Sequence, residues 1–391
     1  MEPWRSQHFK KFAISKGSDL ATVDAAIAIG KALQVKSPNC QPIFSLKHLA
    51  YSADVKYKFL REVVERSTED KYRVFKIHKR GIPGQTSKRF RIICAPDPQL
   101  MKMQKWIARN ILAHGRTHDA SVAYQAGSNI VDAASLHCGC RWLIKLDIIN
   151  FFESVTEQNV FRVFSDMGYQ PLVAFELARI CTRKGSATWR RNRAYKKWRT
   201  RNHIYTSIHA YSAVDILGHL PQGAPTSPML ANLAMVDFDK SVEDVANSFG
   251  LTYTRYADDL TFSTKSDAFS REVAQKVISE VYKVIRRFSF EPNLTKTQVV
   301  PPGARRVVLG LLVDGPTPQL SKKFRNQLRR HLHHVSADWP GVVEHAEKNH
   351  FQSVFGLRNH IEGLIAFAHS VDPEYAKKAW EKFAKIDWPQ A

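Results

Sequence analysis

The sequence predicts an α+β chain, with strands and helices alternating through its middle and helices alone at both ends. Three observations carry that expectation. Apolar residues before residue 65 and after residue 321 recur at helical spacing. Several short segments in between alternate, or run apolar, between turn-forming residues, as strands do. Amphipathic stretches long enough for helices separate those segments.

Residues 1–65 place Ala25, Ile27, Ala28, Ile29 and Leu33 near helical spacing, followed by Leu60, Val63 and Val64. Tyr72 to Ile77 and Phe90 to Ile93 alternate, and the turn-rich stretch from His78 to Gln85 lies between them, so a strand, a loop and a strand are expected, closed by Pro96 and Pro98. Gln99 to Ala113 sets Leu100, Met103, Trp106, Ile107 and Ile111 along one side of a helix. Trp142 to Ile148 (WLIKLDI) is a short apolar run and reads as a buried strand. Thr156 is a good N-cap for a helix reaching Met167, and Val173 to Cys181 forms another. Pro228 to Ala246 reads as one helix, Leu251 to Ser263 as two strands around a tight turn, and Ser270 to Phe288 as an amphipathic helix. Val307 to Val313 is apolar with an internal glycine and ends in the turn Asp314-Gly315-Pro316. Ser321 to Trp388 is basic and helical.

Lys and Arg number 58 against 36 Asp and Glu in 391 residues, a net charge of +22. A chain this basic usually meets a polyanion, most often nucleic acid. The stretch Arg183–His219 concentrates the charge, and Trp189, Tyr195 and Trp198 interleave its cations. Such a pattern suits phosphates held by cations and bases stacked on rings; a solvated basic loop is the alternative. At 44% apolar residues the chain is too rich in core formers to be disordered. No run reaches the roughly 18–20 apolar residues of a membrane span, and the first residues lack a secretory layout, so a cytoplasmic protein is expected. Five cysteines, an odd and low count, fit a reducing compartment. Cys138-Gly139-Cys140 has no second pair, and His331-Leu332-His333-His334 has no cysteine or acid at ligand spacing, so structural zinc is not expected.

Three aspartates point to chemistry. Asp147 ends the apolar strand, and Asp258 and Asp259 sit at the tip of the hairpin from Thr254 to Ser263. Adjacent acids repel, and a metal ion is the natural neutraliser. Phosphoryl transfer uses two Mg²⁺ ions roughly 3.5–4 Å apart, and each takes only one or two protein carboxylates. Taken alone, Asp258-Asp259 reads equally well as a polar turn.

Tyr256-Ala257-Asp258-Asp259 resembles the YxDD box of reverse transcriptases. Leu146 to Ser154 (LDIINFFES) resembles their first catalytic box, and Leu220 to Pro228 (LPQGAPTSP) with Ala231-Asn232-Leu233 their LPQGxxxSP box, in the family's order. Arg89 to Ile93, Pro96, Gln104 to Ile107 and Asn110 to Leu112 are similar to the fingers of the bacterial retron type. Where retron enzymes carry NAxxH, this chain reads Ala133-Ala134-Ser135-Leu136-His137, and Val308-Leu309-Gly310 stands where VTG is usual. The resemblance covers about residues 70–320. It implies a right-hand polymerase: an N-terminal helical region (1–65), fingers (66–140), a palm with an antiparallel sheet (141–300, basic insertion 183–219), a primer-grip-like hairpin (301–318) and a helical thumb (319–391).

The resemblance also implies roles. Asp147, Asp258 and Asp259 would be catalytic and would hold two Mg²⁺ ions. Phe152 would pack under the sugar of the incoming nucleotide and exclude a 2′-hydroxyl, the alternative being a core ring beside Phe151. Arg91 and Lys79 would reach the triphosphate, although Lys79 fits a solvated loop charge as well. Gln222 would lie beside nucleotide or template, or be a turn residue before Gly223, which serves close backbone approach. Lys296 resembles a lysine that protonates leaving pyrophosphate. Lys322, Lys323, Arg325, Arg329, Arg330, His331, His333 and His334 would form a basic face for an RNA duplex, or ordinary thumb surface. The implied activity is RNA-directed DNA synthesis from deoxynucleoside triphosphates. A cognate structured noncoding RNA would be copied into single-stranded DNA from a 2′-hydroxyl, giving a multicopy RNA–DNA hybrid (msDNA), in antiphage defence with a separate effector protein and no membrane. Other bacterial defence reverse transcriptases and group II intron enzymes share the palm boxes and are the enzyme alternative. An inactive RNA-binding scaffold is the non-enzyme one, against which the intact aspartates stand.

Overall fold

A computed structural model describes residues 4–67, 70–78, 90–125, 127–184, 217–336 and 341–389. Four helices open the chain: α1 (Ser6–Ser15), α2 (Leu20–Lys36), α3 (Leu46–Ser52) and α4 (Tyr57–Glu65). Asp19 and Ser45 cap α2 and α3 through their side chains. The antiparallel ribbon β1 (Tyr72–His78) and β2 (Phe90–Pro96) follows, with Ile77 opposite Arg91. Helix α5 (Pro98–Asn110) starts on an Asp97 cap with proline in its first turn. It ends one residue short of Ile111, and a 3-10 turn, Leu112–His114, replaces the expected last turn. Helix α6 (Ile130–Ser135) then leads to the central sheet.

That sheet has the order β6-β7-β3-β8, all neighbours antiparallel: β3 is Trp142–Asp147, β6 Thr252–Tyr256, β7 Asp259–Thr264 and β8 Gln298–Val300. Strand β3 is buried, as its apolar run predicts, yet its two faces differ. Ile144 and Leu146 enter the main core together with Leu260 and Phe262 of β7. Leu143 enters a second core shared with the C-terminal helices. Because side chains alternate along a strand, Asp147 lies on the face of Leu143 and Lys145, away from the main core. A strand of alternating destinations thus delivers a carboxylate to the face turned away from the main core.

Helices α7 (Phe151–Ser154), α8 (Glu157–Asp166) and α9 (Pro171–Cys181) follow β3. Thr156 and Asn159 complete a reciprocal capping box on α8. The span read as one helix from Pro228 is two: α10 (Ser227–Ala234) and α11 (Val236–Ser248), broken at Met235. The break accompanies two buried tertiary bonds, from Asn232 to the Ala123 carbonyl and from Arg255 to Asp239. Helix α12 (Arg271–Arg287) is capped by Ser270. A small sheet of β9 (Val307–Val308), β10 (Leu311–Leu312) and β11 (Gln319–Leu320) precedes α13 (Lys322–Val335), α14 (Gly341–Lys348), α15 (Val354–Val371) and α16 (Pro373–Phe383). No helix among the described residues is long and apolar enough to cross a membrane.

Two cations expected at the surface are buried. Arg183 pairs with His219 in a short ladder, β4 (Arg183–Lys184) with β5 (Gly218–His219), and forms an ion pair with Asp70. The interior of the basic stretch, residues 185–216, lies outside the described residues. His331 turns inward and hydrogen-bonds His345 at 2.9 Å, so it leaves the basic face of α13. A long-range partner explains each case, and charge alone cannot reveal it. The five cysteines are free and buried.

His137 is buried against the neighbouring strands β6 and β7, its ring nitrogens 2.7 Å from the hydroxyls of Ser263 and Thr254. Burial holds both His137 and His219 down to about 4, against about 6.5 in an unfolded chain. Below pH 6.5 the unfolded state takes up protons that the folded state refuses. Stability from these groups is therefore complete above pH 6.5 and lost as pH falls toward 4. Together they remove about 4 kcal/mol between pH 7 and pH 5. Urea midpoints across that range test this: in His137→Gln the fall is shallower by about one proton.

Candidate active site

Asp147 and Asp259 are register partners on β3 and β7, so their side chains leave the same face of the sheet. Tyr256 pairs with Asp259 to close the β6–β7 hairpin, which leaves Ala257 and Asp258 as a two-residue turn. The Asp258 carbonyl accepts from Ile148 N at 3.0 Å, which ties the turn to the end of β3. The three acids singled out in the sequence therefore converge.

Their charges are felt. Asp258 is pushed up to about 6 by burial, then by Asp147 and Asp259. Asp259 is raised by burial and by Asp147. The counter-charge is Lys296, half-exposed, whose ammonium bonds Asp147 Oδ2. Asn293 holds the other oxygen, donating from Nδ2 to Oδ1 at 2.7 Å, and its backbone N–H bonds the Asp147 carbonyl at 2.7 Å. Among the described residues no three His, Cys, Asp or Glu side chains form a ready cage for one ion. Mg²⁺ does not need one, since phosphates and waters supply most of its ligands in phosphoryl transfer. Mutually repelling carboxylates, all hard oxygen donors, fit such ions.

The turn is held from beneath. Ala257 has φ +56, a left-handed conformation that usually goes to Gly, Asn or Asp in hairpins. Arg255, fully buried, donates from Nη1 to the Ala257 carbonyl and to Asn232 Oδ1, each at 3.2 Å. Its Nε and Nη2 grip the two oxygens of buried Asp239 at 2.7 and 2.6 Å. Tyr253 donates to Asp239 as well, at 2.8 Å.

Of the remaining predicted residues, Phe152 approaches the carboxylate turn through Tyr124, which lies between it and Tyr256. Phe152 is half-buried, its ring centroid 5.6 Å from Phe151 and 6.5 Å from Tyr124. Arg91 is exposed on β2, and its charge and that of Asp258 both act on the Tyr124 hydroxyl. The Gln222 carbonyl accepts from Cys94 N at 2.7 Å, binding the LPQG loop to β2. Gly223 has φ +114, and a Cβ there would stand 2.8 Å from Ile93 Cγ2, so close approach does require glycine. Lys79 lies outside the described residues. On α13, Lys322, Lys323 and Arg330 line a cavity of about 520 Å³ with Arg305, Asn326 and Gln327, whereas Arg325 is paired with Asp372. Sequence reasoning missed Tyr124, Asn293 and the Arg255–Asp239 pair. Arg255 stands one residue before the YxDD box and Asn293 three before Lys296, so adjacency was the available signal; Tyr124 had none.

Residues 77–342 match the family described as Reverse transcriptase (RNA-dependent DNA polymerase). The retron Ec86 reverse transcriptase of Escherichia coli is 27% identical over 317 residues, 81% of this chain and 82% of that protein. The retron Mx162 reverse transcriptase of Myxococcus xanthus is 29% identical over 371 residues, 92% of this chain and 66% of the relative. The retron Ec83 enzyme of Escherichia coli is 27% identical over 316 residues, 80% and 87% of the two chains. With the match covering more than half of its length, the chain belongs to the reverse transcriptases, RNA-directed DNA polymerases of right-hand fold, and is similar to their bacterial retron members.

Proposed function

We propose that the chain is a retron-type reverse transcriptase that copies a cognate structured noncoding RNA into single-stranded DNA by two-metal nucleotidyl transfer. The observation that carries this is the register pairing of Asp147 with Asp259 beside the Asp258 turn. Asp147 and Asp258 would hold the Mg²⁺ ions, with Asp259 assisting the second site. When bound, the ions supply charge stabilisation for the attacking and leaving oxygens. Lys296 forms an ion pair with Asp147, and its ammonium would donate a proton to the leaving pyrophosphate. Arg91 would fork onto the triphosphate, Lys79 would assist it, and Gln222 would border the nucleotide. In this reading 66–140 are fingers, 141–300 palm, 301–318 the primer grip and 319–391 thumb, whose cations follow the duplex backbone. On this reading the product would be a multicopy RNA–DNA hybrid, made in the cytoplasm in antiphage defence beside a separate effector protein.

Phe152 would gate the sugar. Phe152→Ala raises ribonucleotide incorporation by about a hundredfold, checked by single-nucleotide extension with matched deoxy- and ribonucleotides; unchanged selectivity makes Phe152 a core ring only. The function as a whole is tested by sequencing nucleic acid that co-purifies with the chain. A single RNA–DNA hybrid species is expected. A homogeneous RNA without DNA contradicts the proposal and leaves an RNA-binding scaffold.

A further inference from the structure

Tyr124 belongs to none of the boxes that carry the family resemblance, and its geometry is unusual. It is a non-glycine residue at φ +60, a left-handed conformation costing an L side chain on the order of 1–2 kcal/mol. The flanking backbone is held in place. Asn232 Nδ2 donates to the Ala123 carbonyl at 2.6 Å, and Gln125 Nε2 donates to Thr117 Oγ1 at 2.6 Å and to the Ser121 carbonyl at 2.5 Å. Arg255 joins in: its Nη2 donates to Ser121 Oγ at 3.2 Å, and its carbonyl accepts from Val122 N at 2.9 Å. The guanidinium that fixes the Asp258 turn therefore also fixes the Tyr124 segment.

The result is a ring held out over the cleft, 43% exposed. Its centroid is 6.1 Å from Tyr256 and 6.5 Å from Phe152, both tilted and within aromatic contact range. Phe152 is thus flanked by Phe151, which belongs to the core, and by Tyr124, which does not. Strain maintained to present a large side chain, where glycine would relieve it, points to a task for the ring.

We infer that Tyr124 is a specificity-determining residue: its ring backs Phe152 and keeps the Phe152 ring against the sugar of the incoming nucleotide, so that the two together exclude ribonucleotides. This rests on Phe152 being the sugar gate. Without Tyr124 the half-buried Phe152 ring has room to swing away, and a 2′-hydroxyl is admitted.

The test compares kcat/KM for a deoxynucleotide and the matching ribonucleotide in the wild type, Tyr124→Gly, Tyr124→Phe, Phe152→Ala and the Tyr124→Gly/Phe152→Ala double variant. Glycine suits φ +60, so Tyr124→Gly keeps the backbone, and a melting curve verifies it. Tyr124→Gly lowers discrimination about tenfold, mainly through a lower ribonucleotide KM. Tyr124→Phe keeps the wild-type ratio, because the ring does the backing. The double variant discriminates no worse than Phe152→Ala alone, since Tyr124 acts through Phe152. A wild-type ratio in Tyr124→Gly beside a lowered one in Phe152→Ala overturns the inference and spares the gate. Additive losses overturn it too, by showing that Tyr124 acts independently. An unchanged ratio in Phe152→Ala removes the gate and this inference together.

Discussion

Asp258→Asn abolishes DNA synthesis, slowing it by at least about a thousandfold, while RNA affinity stays within about twofold. The substitution preserves shape and removes one charge from a cluster of three carboxylates, one buried and two half-buried. The turn itself survives, because its bonds to Ile148 N and Arg255 use the backbone carbonyls of Asp258 and Ala257. RNA affinity comes mainly from phosphate contacts spread over the basic surface, which the change does not touch. A second consequence separates this from generic damage. Asp258 is raised by burial and by its two acidic neighbours, so its neutralisation relieves repulsion in the metal-free protein. Asp258→Asn therefore melts at a higher temperature than the wild type in a chelating buffer, and the difference narrows when Mg²⁺ is added. Primer extension, filter binding and melting curves check the three parts; full polymerase activity in the variant ends the catalytic assignment.

Asp239→Asn is the most damaging change away from the carboxylates. Asp239 and Arg255 are both fully buried, and breaking such a pair by removing one partner costs about 3–5 kcal/mol because the remaining charge is left uncompensated. Arg255 would lose the charge on its Nε and Nη2 partners, and Tyr253 would lose a charged acceptor. The loss is read as a shift of the urea midpoint at constant slope. Since the same guanidinium holds the Ala257 carbonyl, residual folded protein also polymerises more slowly. A stability change below about 1 kcal/mol shows that the turn is held by something other than this pair.

The fold was legible where local chemistry decides it. WLIKLD reads as a strand from its apolar run, the β6–β7 hairpin from its aromatic and β-branched alternation, and α8 from Thr156. What local chemistry does not decide was illegible. Nothing near Met235 stops a helix; the bonds of Asn232 and Asp239 to distant groups accompany the break. Arg183 and His331 look like surface cations until Asp70 and His345 are seen beside them. Ala257 is an unfavourable residue for a left-handed hairpin position, and it stands there over Arg255, whose neighbours come from Ser121, Asn232 and Asp239. At the site, the spacing of the boxes pointed to Asp147, Asp258 and Asp259, because each box is contiguous in sequence. Tyr124 reaches the site only through the way the chain folds, so no spacing announced it, and Asn293 had only its nearness to Lys296 to mark it.

The most direct test is anomalous diffraction from crystals of the chain with an RNA template, a terminated DNA primer, the next deoxynucleotide and Mn²⁺ in place of Mg²⁺. Two peaks about 3.5–4 Å apart, bridged by oxygens of Asp147 and Asp258 and with Lys296 withdrawn from Asp147, are the predicted outcome. Manganese bound elsewhere, with Lys296 still seated on Asp147 beneath an ordered nucleotide, would contradict the account.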